Sequence, residues 1–134
     1  MIKKNEMTSN QRVVVVTGTS SGIGREISLT LARNGFLTYA TMRDLNKKEN
    51  IRLVAEKENL PLKIVMLDVT DDRSVNDAVK SIIAEANRID VLVNNAGYGL
   101  VGVFEDLAME EIKSQYETNL FGVISDCACK VRLA

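Results

Sequence analysis

The apolar positions of this chain change their period along its length, and the changes mark out alternating strands and helices. Arg12–Thr17 holds four consecutive valines with no polar residue between them. An unbroken β-branched run predicts a strand buried on both faces, as in a parallel sheet. Gly18–Gly24 follows at once as a glycine-rich turn. Ile23, Ile27 and Leu31 then recur at helical spacing, and Asn34-Gly35 supplies a helix stop. Phe36–Met42 predicts a second strand. Lys47–Asn59 predicts a helix with Ile51, Val54 and Ala55 on one face, closed by Asn59 and Pro61. Leu62–Leu67 predicts a third strand, ending at Asp68. Val75, Ala78, Val79, Ile82, Ile83 and Ala86 make the cleanest amphipathic stripe, with Asp71 or Asp72 as its cap. Asp90–Val93 predicts a fourth strand and Asn94–Leu107 a glycine-containing loop. Ala108 to about Val131 predicts one long helix with Ile112, Tyr116, Leu120 and Val123 facing inward.

Strands alternating with helices imply an α/β fold around a parallel sheet with right-handed crossovers. Met1–Gln11 is polar and aperiodic and is expected to be a frayed lead-in. Residues 12–134 then form a single domain, a size that one core can support.

Composition narrows the chemistry. The chain has 134 residues with 17 Lys+Arg against 18 Asp+Glu, a net charge of -1. That balance provides no basic excess for nucleic acid and no acidic block for a disordered tail. There is no histidine, which removes His-based acid–base catalysis, Ser-His-Asp triads and His-containing zinc sites. Two cysteines, Cys127 and Cys129, are too few for a disulfide framework or a structural zinc, so no metal site is expected. The longest apolar runs are about five residues, against the roughly 20 needed to span a bilayer. Met1–Asn10 lacks the apolar segment of a signal peptide. The expectation is a soluble cytoplasmic protein without membrane or nucleic-acid partners.

A glycine-rich turn between a buried strand and a helix is suited to phosphate. The backbone can approach a pyrophosphate closely there, and the helix N-terminus offers unpaired N–H groups. The spacing Gly18, Gly22, Gly24 is neither G-x-G-x-x-G nor the nucleoside-triphosphatase loop, and Arg25 stands where no phosphate-binding lysine would. A turn that only packs helix against strand is the plainer alternative.

Four segments together resemble one family. Thr17–Gly24 resembles the T-G-x-x-x-G-x-G signature of the short-chain dehydrogenases/reductases. Asn94–Gly97 is similar to their N-N-A-G segment, Leu67–Val69 to the segment carrying their adenine-binding aspartate, and Asn119 in Thr118–Gly122 to their active-site asparagine. Tyr39–Asp44 with Tyr98–Leu100 looks most like the branch containing 17β-hydroxysteroid and retinol dehydrogenases. The resemblance runs from about Arg12 to Ser125. It implies a Rossmann-type doubly wound parallel sheet of order 3-2-1-4, truncated before the later strands. It implies NAD(P)-dependent hydride transfer between a nicotinamide and a small-molecule carbonyl or alcohol. By the same resemblance Gly18, Ser20, Ser21, Gly22, Ile23 and Gly24 hold the cofactor's phosphates. Asp68 and Val69 border the adenine, and Asn95, Ala96 and Gly97 border the nicotinamide. Asn119 is the catalytic candidate: it distorts its helix and fixes a water in the proton relay. The family also implies a homo-oligomer through the helix carrying Asn119.

The end of the second strand separates the two nicotinamide cofactors. NAD-specific members place an acid there to bind the ribose 2′-hydroxyl. Here Met42 takes that position and Arg43 follows. A guanidinium suits a 2′-phosphate, and Ser20 and Ser21 add hydroxyls. NADP(H) is favoured and NAD(H) is the alternative, with Asp44 in reach of a 2′-hydroxyl if the register slips by two residues.

The family's Tyr-x-x-x-Lys does not occur in this sequence. Tyr39, Tyr98 and Tyr116 are followed four positions later by Arg43, Gly102 and Leu120. The apolar stripe also breaks after Ser125, which suggests a frameshift there or an artificial end; coding DNA read in all frames beyond this point tests it. The fourth strand is then an exposed edge, and low solubility is expected. The leading reading is a cofactor-binding fragment of an oxidoreductase. The alternatives are a non-catalytic NADP(H)-binding or regulatory module and an S-adenosylmethionine-dependent methyltransferase. Met42-Arg43 argues against the last, which needs an acid at that point.

Overall fold

The computed structural model describes the backbone of residues 10–133 and the side chains of residues 10–128. Most of the expected lead-in and the Cys129 side chain lie outside these described residues. Four strands are present: β1 (Val13–Val16), β2 (Leu37–Met42), β3 (Leu62–Met66) and β4 (Val91–Val93). They pair in parallel in the order β3-β2-β1-β4, the doubly wound arrangement expected. Between them run α1 (Gly22–Arg33), α2 (Glu49–Lys57) and α3 (Asp72–Ala86), with α4 (Met109–Tyr116) and α5 (Gly122–Leu133) after β4.

The two-residue period of a strand sorts the core into two layers. Val13 and Val15 share one cluster with Leu37, Tyr39 and, from α3, Ile82 and Ala86. Ala40 and Met42 on the opposite face pack with Leu29 of α1 and Ile51 of α2. Thus α3 covers one face, and α1 and α2 cover the other. Both faces of β1 are dry, which is why its four valines need no alternation. Asp90 anchors the start of β1: its Oδ2 accepts from Val13 N at 2.7 Å, and its own N–H donates to Val13 O at 2.9 Å. The Arg88 guanidinium and the Val13 N–H hold this carboxyl below its usual pKa. Tyr39 lies in the core and its hydroxyl donates to Glu85, which also pairs with Lys63. Burial and the Glu85 charge push the phenol pKa up.

Asp71 caps α3 by accepting from Arg73 N and Ser74 N, and Asn87 closes it at φ 61°. Three sequence expectations need correction. The buried face of α1 is Gly24, Ser28, Leu29 and Ala32, whereas Ile23 is 73% exposed. Small residues let α1 lie close to the sheet, and Ser28 Oγ satisfies itself by donating to Gly24 O at 2.9 Å. The helix expected from Lys47 is two elements: a 3-10 turn at Leu45–Lys47, then α2 from Glu49. The long C-terminal helix is broken by a π-helical segment at Glu117–Phe121. A π turn advances the chain by an extra residue and so rotates the stripe. Ile112 and Val123 are half-buried, but Tyr116 and Leu120 face solvent among the described residues. α5 packs against α3. No helix among the described residues is long and apolar enough to cross a membrane.

Asp126 on α5 is buried at 3% exposure, and neither carboxylate oxygen has a hydrogen-bond partner among the described residues. Burial pushes its pKa up to about 7. Between about pH 4 and about 7 the folded chain therefore binds more protons than the unfolded one, and stability falls as pH rises through that window. Asp126→Leu is expected to remove that fall and to raise the melting temperature at pH 8 by on the order of 5 °C. Thermal melts of both proteins from pH 5 to pH 8 check this. Parallel profiles would show that Asp126 does not set the slope.

Candidate functional site

The carboxyl ends of β1 and β4 lie side by side, at the place where the strand order reverses direction. Open α/β sheets bind ligands at this switch point. Two loops meet there. After β1 the chain enters the glycine turn, and after β4 it enters Asn94–Gly97.

A compact set of hydrogen bonds locks these loops together. Thr17 Oγ1 accepts from Asn95 N at 3.1 Å and from Ala96 N at 3.0 Å. Asn95 Nδ2 donates back to Thr17 O at 3.1 Å and to Gly18 O at 3.0 Å. The close approach explains two glycines. Gly18 has φ 67°, and a Cβ there would stand 2.7 Å from Ala96 Cα. A Cβ on Gly24 would stand 2.3 Å from both Gly18 O and Asn95 Nδ2. Thr19 ties the turn to the next strand, with its hydroxyl donating to Thr41 O at 3.0 Å.

These loops form one wall of a groove of about 540 Å³. Of the residues named from sequence, Gly18, Ser20, Ser21, Ile23, Gly24, Arg43, Asp68, Val69, Asn95, Ala96 and Gly97 all line it. Gly22 does not; it lies on the outer side of α1 beside Arg25 and Glu26. Asn119 does not line it either. Its Oδ1 accepts from Tyr98 N at 3.0 Å and its Nδ2 donates to Tyr98 O at 2.8 Å, so it clamps the loop after β4 from behind. It does so from the centre of the π-helical segment, and Gln115 Nε2 adds a second bond to Tyr98 O. Asp68 keeps one oxygen occupied by Thr70, through its N–H at 2.9 Å and hydroxyl at 2.7 Å. Its backbone N–H donates to Ser74 Oγ. Lys47, Thr70 and Thr118 also stand in the groove wall, and Thr17, the first residue of the Thr17–Gly24 signature, lies beneath it as the acceptor for Asn95 N and Ala96 N. Thr17 had a signal, since it is the polar end of a buried valine run. Lys47 had none, because it sits in a run of charged residues.

The wall suits a phosphorylated ligand. The Ser21 cap of α1 makes no side-chain hydrogen bond, and the first turn has no acidic residue. The first N–H groups and the positive end of the helix thus remain open to an anion. Ser20 and Ser21 also carry hydroxyls with no bond among the described residues.

Comparison with known proteins bears on this geometry. Residues 12–132 match the family model described as short chain dehydrogenase. The chain is 44% identical over 117 residues to the uncharacterized oxidoreductase YusZ of Bacillus subtilis, covering 86% of this chain and 41% of that protein. It is 42% identical over 122 residues to human retinol dehydrogenase 8, covering 88% and 38%. A crystal structure of an actinorhodin polyketide ketoreductase variant with NADPH superimposes with a TM-score of 0.89 at 27% identity, over 96% of this chain and 49% of that one. The chain thus spans less than half the length of these relatives.

If the Thr17 hydroxyl holds the two loops together, removing it at constant volume leaves two backbone N–H groups without their acceptor. Thr17→Val is expected to cost about 1–3 kcal/mol of stability, and Thr17→Ser under about 1 kcal/mol. Urea denaturation measures both. Equal midpoints for valine and wild type would remove Thr17 from this role.

Proposed function

The chain belongs to the short-chain dehydrogenase family, and on that premise we propose that it is the cofactor-holding portion of an NAD(P)-dependent oxidoreductase acting on a small-molecule carbonyl or alcohol. The observation that carries this reading is the Thr17–Asn95 lock, which sets an uncapped helix N-terminus and the Asn94–Gly97 loop on one groove. When bound, the reduced nicotinamide supplies a hydride to a carbonyl carbon, and the oxidised form takes one from an alcohol.

The residues divide the work along the groove. The Gly18–Gly24 turn, with Ser20, Ser21 and the open N–H groups of α1, receives the pyrophosphate. Asp68 uses its remaining acceptor capacity toward the adenine amino group, beside Val69. Asn95, Ala96 and Gly97 border the nicotinamide end, where Tyr98 is held at the rim by Asn119. Arg43 at the end of β2 favours a 2′-phosphate, so the cofactor is NADP(H) in preference to NAD(H). The relative solved with NADPH supports a nicotinamide cofactor in general. This sequence contains no Tyr-x-x-x-Lys to exchange a proton with substrate.

Titration of the chain with NADPH, followed by nicotinamide fluorescence, tests the reading. Saturable binding in the micromolar range, displaced by NADP+ and with no oxidation on adding aldehydes or ketones, is expected. No saturable binding at millimolar NADPH would contradict it.

A further inference from the structure

Gly122, the first residue of α5, is buried and has φ -59° and ψ -44°, a helical conformation that any residue adopts. Glycine is a poor helix former, so backbone conformation gives no reason for it here. Space does. A Cβ at Gly122 would stand 2.8 Å from Val69 Cγ2, 2.9 Å from Val69 Cβ and 3.2 Å from Val69 O. Non-bonded carbons rest at about 3.5–4.0 Å, so a methyl group enters only if Val69 or the helix moves.

Val69 has one open direction. It is 8% exposed and packs into the core with Leu67 and with Val75, Ala78 and Val79 of α3. Its remaining side lies on the groove, beside Asp68 and Thr70. The turn around it is tied together. Asp68 Oδ1 accepts from Thr70, and Asp71 N donates to Asp68 O at 3.1 Å. Ser125, on the next turn of α5, donates from its Oγ to Asp72 Oδ1 at 2.6 Å. A push at Val69 from behind therefore carries Asp68 with it. The helix that would push also bears Asn119, three residues before Gly122, which clamps Tyr98 on the other side of the groove.

We propose that Gly122 is a positioning residue for the bound nucleotide. Its missing side chain lets α5 seat the Asp68–Thr70 turn at the depth where Asp68 reads the adenine amino group. The inference rests on the dinucleotide reading above and adds to it a residue that does not line the groove. One helix backbone thus sets the adenine wall through Gly122 and the loop after β4 through Asn119.

The test compares NADPH with its hypoxanthine counterpart, in which an oxygen replaces the adenine amino group, by calorimetry on the 134-residue chain. The wild type is expected to favour NADPH about tenfold, the worth of one hydrogen bond to a carboxylate. Gly122→Ala is expected to abolish that preference, although helix propensity alone favours alanine. A merely structural loss would weaken both ligands equally and leave their ratio unchanged. Val69→Ala removes Cγ2, the atom nearest the added methyl group. It is expected to keep the preference, and Gly122→Ala placed in that background is expected to change the ratio by less than about twofold. Circular dichroism verifies folding; if Gly122→Ala alone does not fold, the double variant is still expected to fold and to keep the Val69→Ala ratio. An unchanged ratio in Gly122→Ala, a loss as large in the Val69→Ala background, or a double variant that also fails to fold overturns the inference. Equal wild-type affinity for the two ligands overturns it too and leaves the dinucleotide reading standing. Binding of neither ligand overturns both.

Discussion

The hydrogen bonds between Thr17 and the Asn95–Ala96 segment join residues 78 and 79 positions apart in the chain. Everything on the ligand side of the sheet depends on them. β4 is only three residues long and pairs with β1 at three positions, so the ladder alone holds it weakly. At the other end of the same pair, Asp90 holds Val13 through both its side chain and its backbone. The β1–β4 seam is thus fastened by polar groups at each end and by valine packing between. Because Asn95 Nδ2 fills the space over Gly24, the seam also dictates where glycine must stand. The glycine turn is shaped by the loop it faces as much as by the phosphate it suits.

A second layer of organisation is electrostatic. Most of the basic side chains with described partners are matched locally, often within one helix, as with Arg52 between Glu49 and Glu56. Such exposed pairs add little stability. Arg43 and Lys47, which line the groove where β2 ends, hold no carboxylate among the described residues. Opposite them the uncapped start of α1 adds a further positive pole. The groove therefore offers positive potential at two separated points with a carboxylate, Asp68, beyond them. That spacing of charge matches a ligand with phosphates at one side and a neutral, hydrogen-bonding base at another.

Much of this was legible in the sequence. The buried strands, their parallel pairing and the helical stripe of α3 follow from period and β-branching, because burial on both faces leaves so few alternatives. The wall residues from Gly18 to Gly97 were legible because their motifs sit at strand ends. What stayed hidden came from competition between local and tertiary forces. Ile23, Ile27 and Leu31 have helical spacing, yet α1 turns its small residues inward because Gly24 and Ser28 permit closer approach to the sheet. The 3-10 turn at Leu45 hides behind a good helix-forming sequence, and only the Asp44 cap separates it from α2. The π-helical segment leaves a single trace, an asparagine in mid-helix, and its cause lies in the Tyr98 backbone twenty-one residues away.

The central claim is that a nicotinamide dinucleotide lies along the carboxyl ends of the strands, across the β1–β4 seam. Hydrogen–deuterium exchange of the chain with and without saturating NADPH addresses it most directly. The account expects slowed exchange in the Gly18–Gly24 turn, the first turn of α1, the stretch after β2 and the Asn94–Tyr98 loop, with the exposed face of α3 unchanged. Protection confined to α3 or α4, or binding with no slowing in the glycine turn, would contradict it.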